Sequence, residues 1–186
     1  MTGLIYHFIN MPAAATMIQF NEYNLGSSSS ELSLDTREDN QLATLEMIRQ
    51  ARLRVEIASR DLDPAVYDQP ELIDVFRNMI LENRRARIRI IVFDAQALAR
   101  RGHQLLKLAG DLSSFIEVRQ GSSEHDQYSE AMLVADECGY IHRMLWNRYE
   151  ANANFNDRHQ CKPLLNTFET MWDHATPSVY LRRLSI

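Results

Sequence analysis

From Thr36 onward, apolar residues alternate between helical and strand periods. Thr36-x-x-Asp39 resembles a capping box and predicts a helix running to about Arg52, with Leu42, Leu45 and Ile48 on one face. V55-EIAS-59 alternates as a strand does. R60-DLDPAVYDQP-70 reads as a loop in which Asp68 caps a helix carrying Pro70 in its first turn. That helix stacks Leu72, Ile73, Phe76, Met79 and Ile80 on one stripe. R87-IRIIVFD-94 is the clearest strand, apolar on both faces from Ile90 to Phe93, as in a strand covered by helices. One helix is expected from about Ala95 to Leu108, with Leu98, Leu105 and Leu108 inward and His103 on its surface. F115-IEVRQ-120 reads as a strand. Ala131–Ala135 and Tyr140–Arg143 follow as two strands joined by the turn D136-ECG-139. The last helix repeats Cys161, Leu164, Leu165, Phe168, Met171, Trp172 and Ala175 at helical spacing and stops at Pro177. V179-YLRRL-184 is expected to close as a short edge strand. This order predicts an α/β domain, a mixed β-sheet flanked by helices.

The chain before this pattern is different. G26-SSSSELSLDTRED-39 is a polar linker by composition, preceded by a short strand over Ile18 to Leu25. The expected division is an N-terminal extension and linker over 1–38 and one α/β domain over 39–186. The first twenty residues are mildly apolar, but no Lys or Arg precedes their apolar part, which argues against a secretory signal and for an extension upstream of a start near Met17. No apolar run approaches the roughly 20 residues that span a bilayer, so no membrane partner is expected.

Charge refines the picture. The net charge of −5 gives no overall basic field. Arginine dominates the cations, with only Lys107 and Lys162 among the lysines, and Arg84, Arg85, Arg87 and Arg89 cluster. Surface ion pairs explain most of these more simply than a phosphate-binding surface does, although the guanidinium fork matches phosphate oxygens. Cys138 and Cys161 have no metal or disulfide spacing, which fits a reducing cytoplasm. Cys161 falls on an apolar helix face and reads as a buried small hydrophobe.

One stretch carries candidate chemistry: S129-EAMLVADECGYIHR-143. Together with ENRRARIRIIVFD (82–94), and with Phe168 and Trp172 four residues apart on the last helix, it resembles one half-domain of the phospholipase D-like superfamily. An uncharacterised bacterial branch of that superfamily looks closer still. The resemblance spans Val55 to Ala175 and implies a phospholipase D-like half-domain whose two copies meet as a homodimer. In that superfamily a His-x-Lys-x4-Asp motif supplies a nucleophilic His, which forms a phospho-His intermediate, and a charge-neutralising Lys. Here Ser129 stands at the His position, Ala131 at the Lys position and Asp136 at the Asp position. Serine without a base is a poor nucleophile, and alanine removes a cation from the phosphoryl site. The degenerate motif therefore argues against phosphodiesterase activity.

The expected cleft gathers Ser129, Glu130 and Asp136 with His125, Arg60, Asp94 and the loop N152-ANFNDR-158, which offers Asn152, Asn154, Asn156 and Arg158. Each has a plainer reading. His125 is by default an exposed loop histidine, His142 and His159 are structural or exposed, and the asparagines hold a tight loop through backbone bonds. Asp61 and Asp63 suit turn and capping bonds. No catalytic residue, metal site or cofactor is assigned. The leading expectation is a non-catalytic module that binds an anion or a partner protein. A divergent hydrolase working through Glu130, His125, Asp136 or Arg158 is the first alternative. A nucleic-acid binder using the Arg84–Arg89 cluster is the second, less favoured because the chain is acidic.

Overall fold

The computed structural model describes residues 18–177. The expected edge strand over 179–184 lies outside the described residues. Seven strands form one mixed sheet: β1 Leu32–Leu34, β2 Arg54–Ser59, β3 Arg87–Val92, β4 Ile116–Gln120, β5 Ala131–Ala135, β6 Gly139–Arg143 and β7 Ala151–Asn154. Their order across the sheet is β1-β7-β6-β5-β2-β3-β4. β2, β3 and β4 run parallel, and every other neighbouring pair is antiparallel. The α/β class and the mixed sheet are as expected.

Six helices complete the domain: α1 Arg37–Gln50, α2 Pro64–Tyr67, α3 Pro70–Glu82, α4 Ala95–Arg101, α5 Gln104–Asp111 and α6 Arg158–His174. α1 begins with the capping box read from the sequence, in which the Thr36 hydroxyl and the Asp39 carboxylate each accept the other's backbone N–H. α1, α3 and α5 pack in a row on one face. There Ile57, Ile88, Ile90, Leu133 and Ile141 of the sheet meet Met47, Ile48, Phe76 and Leu105. α6 covers part of the other face, setting Phe168, Met171 and Trp172 on Ala58, Ile91 and Met132. Cys161 is buried beside Val134 and Tyr140, and burial raises its thiol pKa to about 12.

Five local readings are corrected. The single helix over 95–108 is two helices, because Gly102 adopts a φ of +73° and breaks it. His103 is consequently buried instead of surface-facing. Its Nδ1 accepts the Leu105 N–H at 3.2 Å as the N-cap of α5, and its Nε2 donates to the Leu62 carbonyl at 3.1 Å. Asp68 does not cap α3; it accepts the Gln104 N–H at 2.7 Å, at the start of α5. Residues 18–25 form a short 3-10 turn, Phe20–Glu22, not a strand. Asn152 to Asn154, expected within a loop over 152–158, belong to β7, Ala151–Asn154.

The polar run before α1 is tied to the domain. Gln50 donates to the Tyr23 carbonyl and accepts the Leu25 N–H, each at 2.8 Å. Asn154 donates to the Ser29 carbonyl at 3.1 Å, and β1 then pairs with β7. Gly139 makes this approach possible: a Cβ there would stand 2.4 Å from Leu25 Cδ1.

Candidate functional site

Strand direction decides which residues can meet. The C-terminal ends of β2, β3 and β4, the N-terminal end of β5 and the C-terminal end of β6 share one edge of the sheet. Open α/β sheets bind ligands beyond the carboxyl ends of their parallel strands. Arg60 follows β2, Asp94 follows β3, and Ser129 and Glu130 precede β5, so these four candidates lie at this edge. Arg60 donates to the Asp126 carbonyl at 3.3 Å, and its guanidinium carbon stands 6.0 Å from the Trp146 ring centre. Asp94 is engaged as the N-cap of α4, accepting the Ala97 N–H at 2.9 Å. Ser129 is exposed, and its carbonyl accepts the Trp146 N–H at 2.7 Å. His125 sits in a 3-10 turn, Ser123–His125, with its ring 5.8 Å from that of His174. Its Nδ1 is buried without a partner among the described residues.

The sequence reading did not single out Arg143, a second cation at this edge. Arg143 pairs directly across the sheet from Ala131, so it stands beside the position where the resemblance expects a lysine. It is only 5 % exposed. Its Nη1 donates to Asp63 Oδ2 and to the Arg148 carbonyl, both at 3.3 Å, and its guanidinium lies 5.5 Å from the Tyr149 ring centre. Asp63 also caps α2 through the Ala65 N–H at 3.1 Å. Arg101 reaches in from α4 to pair with Asp61 at 2.7 Å. Arg101, Arg143, Trp146, Asn147 and Tyr149 line a cleft of about 250 Å³ with Asp61 and Asp63. Burial and the Asp63 carboxylate raise the Tyr149 hydroxyl above its ordinary range, so it is a neutral hydrogen-bond donor there. Arg143 was legible in principle, because a turn that pairs Ala135 with Gly139 also sets Ala131 opposite Arg143.

Glu130 turns to the other face. Its Oε2 is 2.6 Å from Nε2 of His142, a part-buried pair. His142 borders a recess of about 310 Å³ that also contains Tyr140, Asn152 and Thr167. Asn152 lies directly across from His142 in the register, and it is the only residue of the asparagine run near this end of the sheet. A carboxylate held against an imidazole can orient it.

The remaining candidates lie at the opposite edge. Asp136 accepts three backbone N–H groups, from Arg52 at 2.7 Å and from Leu53 and Arg54 at 2.8 Å, and so clasps the start of β2. Asn154 is buried between Ser29 and the Asn156 N–H. Arg158 opens α6 near Cys138, whose carbonyl accepts the Asp157 N–H at 2.7 Å. The ten candidates therefore divide between two ends of the sheet. Among the described residues no group of three or more His, Cys, Asp or Glu side chains is placed to hold a metal ion, and no helix is long and apolar enough to cross a membrane.

Solved structures with this fold are known. Nuc from Salmonella typhimurium, a phospholipase D family member, superposes with a TM-score of 0.59 at 12 % identity, over 78 % of this chain and 95 % of its own. NucT from Helicobacter pylori gives a TM-score of 0.56 at 12 % identity, over 80 % of this chain and 99 % of its own. TrmBL2, an archaeal chromatin protein whose structure shows a mode of DNA binding, gives 0.58 at 16 % identity over 80 % of this chain. This chain spans 54 % of TrmBL2. At these identities the likeness establishes a phospholipase D-like fold. No curated protein matches the sequence. Residues 36–184 match the family described as Domain of unknown function (DUF7931), so the chain is a member of that family, built on a phospholipase D-like fold.

Proposed function

We propose that the protein is a non-catalytic phospholipase D-like module that binds an anionic group in the cleft between Arg143 and Arg101. The observation that carries this reading is the buried Arg143 guanidinium opposite Ala131. A cation is kept at the phosphate end of the fold while Ser129 and Ala131 stand at the nucleophile and lysine positions. Arg143 and Tyr149 offer donors, Trp146 forms a wall, and Arg101 can swing from its exposed pair with Asp61 at little cost. We further propose that two copies meet through this edge, where Met144, Leu145 and Trp146 form three consecutive exposed apolar residues.

Titration calorimetry with inorganic pyrophosphate tests the anion site. Saturable binding is expected, and Arg101→Ala should weaken it about tenfold, the scale of one charge-assisted contact. Absence of saturable binding, or equal binding by the variant, overturns the reading.

A second reading is favoured by the Glu130–His142 pair, which supplies an oriented imidazole one strand away from the motif. Hydrolysis of bis(4-nitrophenyl) phosphate that disappears in His142→Ala would support a divergent phosphodiesterase and displace the first reading. Nucleic-acid binding rests on exposed Arg84, Arg85 and Arg87, which have no carboxylate partner among the described residues, and on the likeness to TrmBL2. It predicts an oligonucleotide affinity that falls steeply with salt and is lost in Arg85→Ala/Arg87→Ala.

A further inference from the structure

A further recess lies at the end of the sheet opposite the Arg143 cleft. It measures about 460 Å³ and opens between the N-terminal ends of β2 and β3, the loop before β4, and α6. α6 borders it through Glu169, which pairs with Arg89. The register sets Arg54 beside Arg87 and places Arg89 between Glu56 and Glu117, all on the face that carries α6. Such a face would ordinarily be solvated charge, but two features set it apart.

The first is Glu56. It lies in the third position of β2, is 1 % exposed, and lines the recess. Oε1 accepts from Arg89 at 3.0 Å, while Oε2 is buried with no partner among the described residues. A buried carboxylate oxygen without a donor is costly and is rare in native proteins. Arg89 cannot supply the missing donor alone, since it is shared with Glu169, at 2.9 and 2.5 Å, and stacks on Phe168 and Trp172. The second feature is Arg87. Its Nη1 donates only to the carbonyls of Arg84 and Ala86, and its guanidinium rests 5.6 Å from the Phe115 ring centre. It has no carboxylate partner among the described residues although three glutamates line the same recess. An under-satisfied acid and an unneutralised base thus share one cavity without pairing with each other.

We propose that this recess is a second ligand site, separate from the Arg143 cleft, and that it takes a small zwitterion. The ligand's ammonium or guanidinium group pairs with Glu56, supported by Glu117 and Glu169. Its carboxylate or phosphate group pairs with Arg87 and Arg54, and its carbon chain lies against Phe115. Different residues meet the ligand's two charges, so a cation or an anion alone satisfies only half of the site.

The chain has two tryptophans, Trp146 and Trp172, and Trp172 carries Arg89 and Arg119 on its faces at 5.3 and 4.2 Å. In a Trp146→Phe background its fluorescence therefore reports on the recess. Titration with γ-aminobutyrate should give a saturable change, with butylamine and butyrate each binding about tenfold more weakly, as each lacks one charge-assisted contact. Glu56→Gln keeps the shape and should erase the advantage of γ-aminobutyrate over butyrate. Arg87→Ala, an exposed change that does not threaten folding, should erase its advantage over butylamine. The proposal is overturned if none of the three compounds produces a saturable change, if the two half-ligands bind as well as the whole, or if the Arg87 variant retains full discrimination.

Discussion

Single residues in this fold either hold the backbone together or face a cleft. Asp136 illustrates the first. Its place in the motif invites a catalytic role, yet three amides of β2 consume its carboxylate, and its φ of +48° fits the turn it begins. Nothing in the residue order distinguishes that use from a cleft acid, because both require only an Asp after a strand. His103 was hidden differently. Its period put it outside a helix, and the glycine before it turned it inward. Burial lowers its pKa, with Asp68 opposing. It is held as the neutral Nε2–H tautomer, donating to Leu62 and accepting from Leu105. Because the folded form binds its proton less readily than the unfolded chain does, its stabilising contribution is complete above the ordinary histidine range, near pH 6.5, and is lost as pH falls through the lowered folded value. His103→Asn keeps a capping acceptor and removes the titration. Urea unfolding from pH 7.5 to 4.5 should therefore show a shallower acid limb in the variant, by up to about 1.4 kcal/mol per pH unit. Parallel limbs would remove His103 from the balance.

At the scale of elements, periodicity carried most of the architecture. The strand beginning at Arg87, the capping box at Thr36 and the apolar stripe of α6 were all legible, because burial imposes a spacing that survives without knowledge of neighbours. Two departures show why the rest was not. β7 reads A-N-A-N, alternating in burial but poor in β-branched residues, so its strand character comes from pairing with β6 and β1. The α4–α5 break rests on one glycine. A Cβ at Gly102 meets nothing within 4 Å, but the backbone there is left-handed. Gly102→Ala should consequently destabilise the domain by about 1 kcal/mol through backbone strain alone, read as a lower urea midpoint with an unchanged slope. A rise in midpoint would mean that α4 and α5 prefer to fuse.

On the scale of the molecule, the resemblance seen in the sequence and the fold agree, while the candidate site divides. Ser129 and Asp136 flank the strand Ala131–Ala135 and so occupy opposite edges, while strand directions, which the residue order did not reveal, decide that Arg60 and Asp94 join Ser129. The proposed pairing of two copies belongs to this scale. Met144, Leu145 and Trp146 are 62 %, 43 % and 38 % exposed, a run that a solvated loop would not favour. Leu145→Asp should shift the species seen by analytical ultracentrifugation from dimer to monomer without altering the far-ultraviolet circular dichroism. A wild-type monomer at tens of micromolar would dismiss the pairing.

The segment that closes the sheet has a practical corollary. β1 lies before residue 36, where the family match begins, yet it takes up the outer hydrogen bonds of β7. A chain trimmed to the family's limits would carry an unsheathed row of amides and carbonyls along β7, open to any extended peptide that drifts past. The serine-rich leader is thus a built-in bung for an adhesive seam, and cutting it away would trade a well-behaved protein for a sticky one.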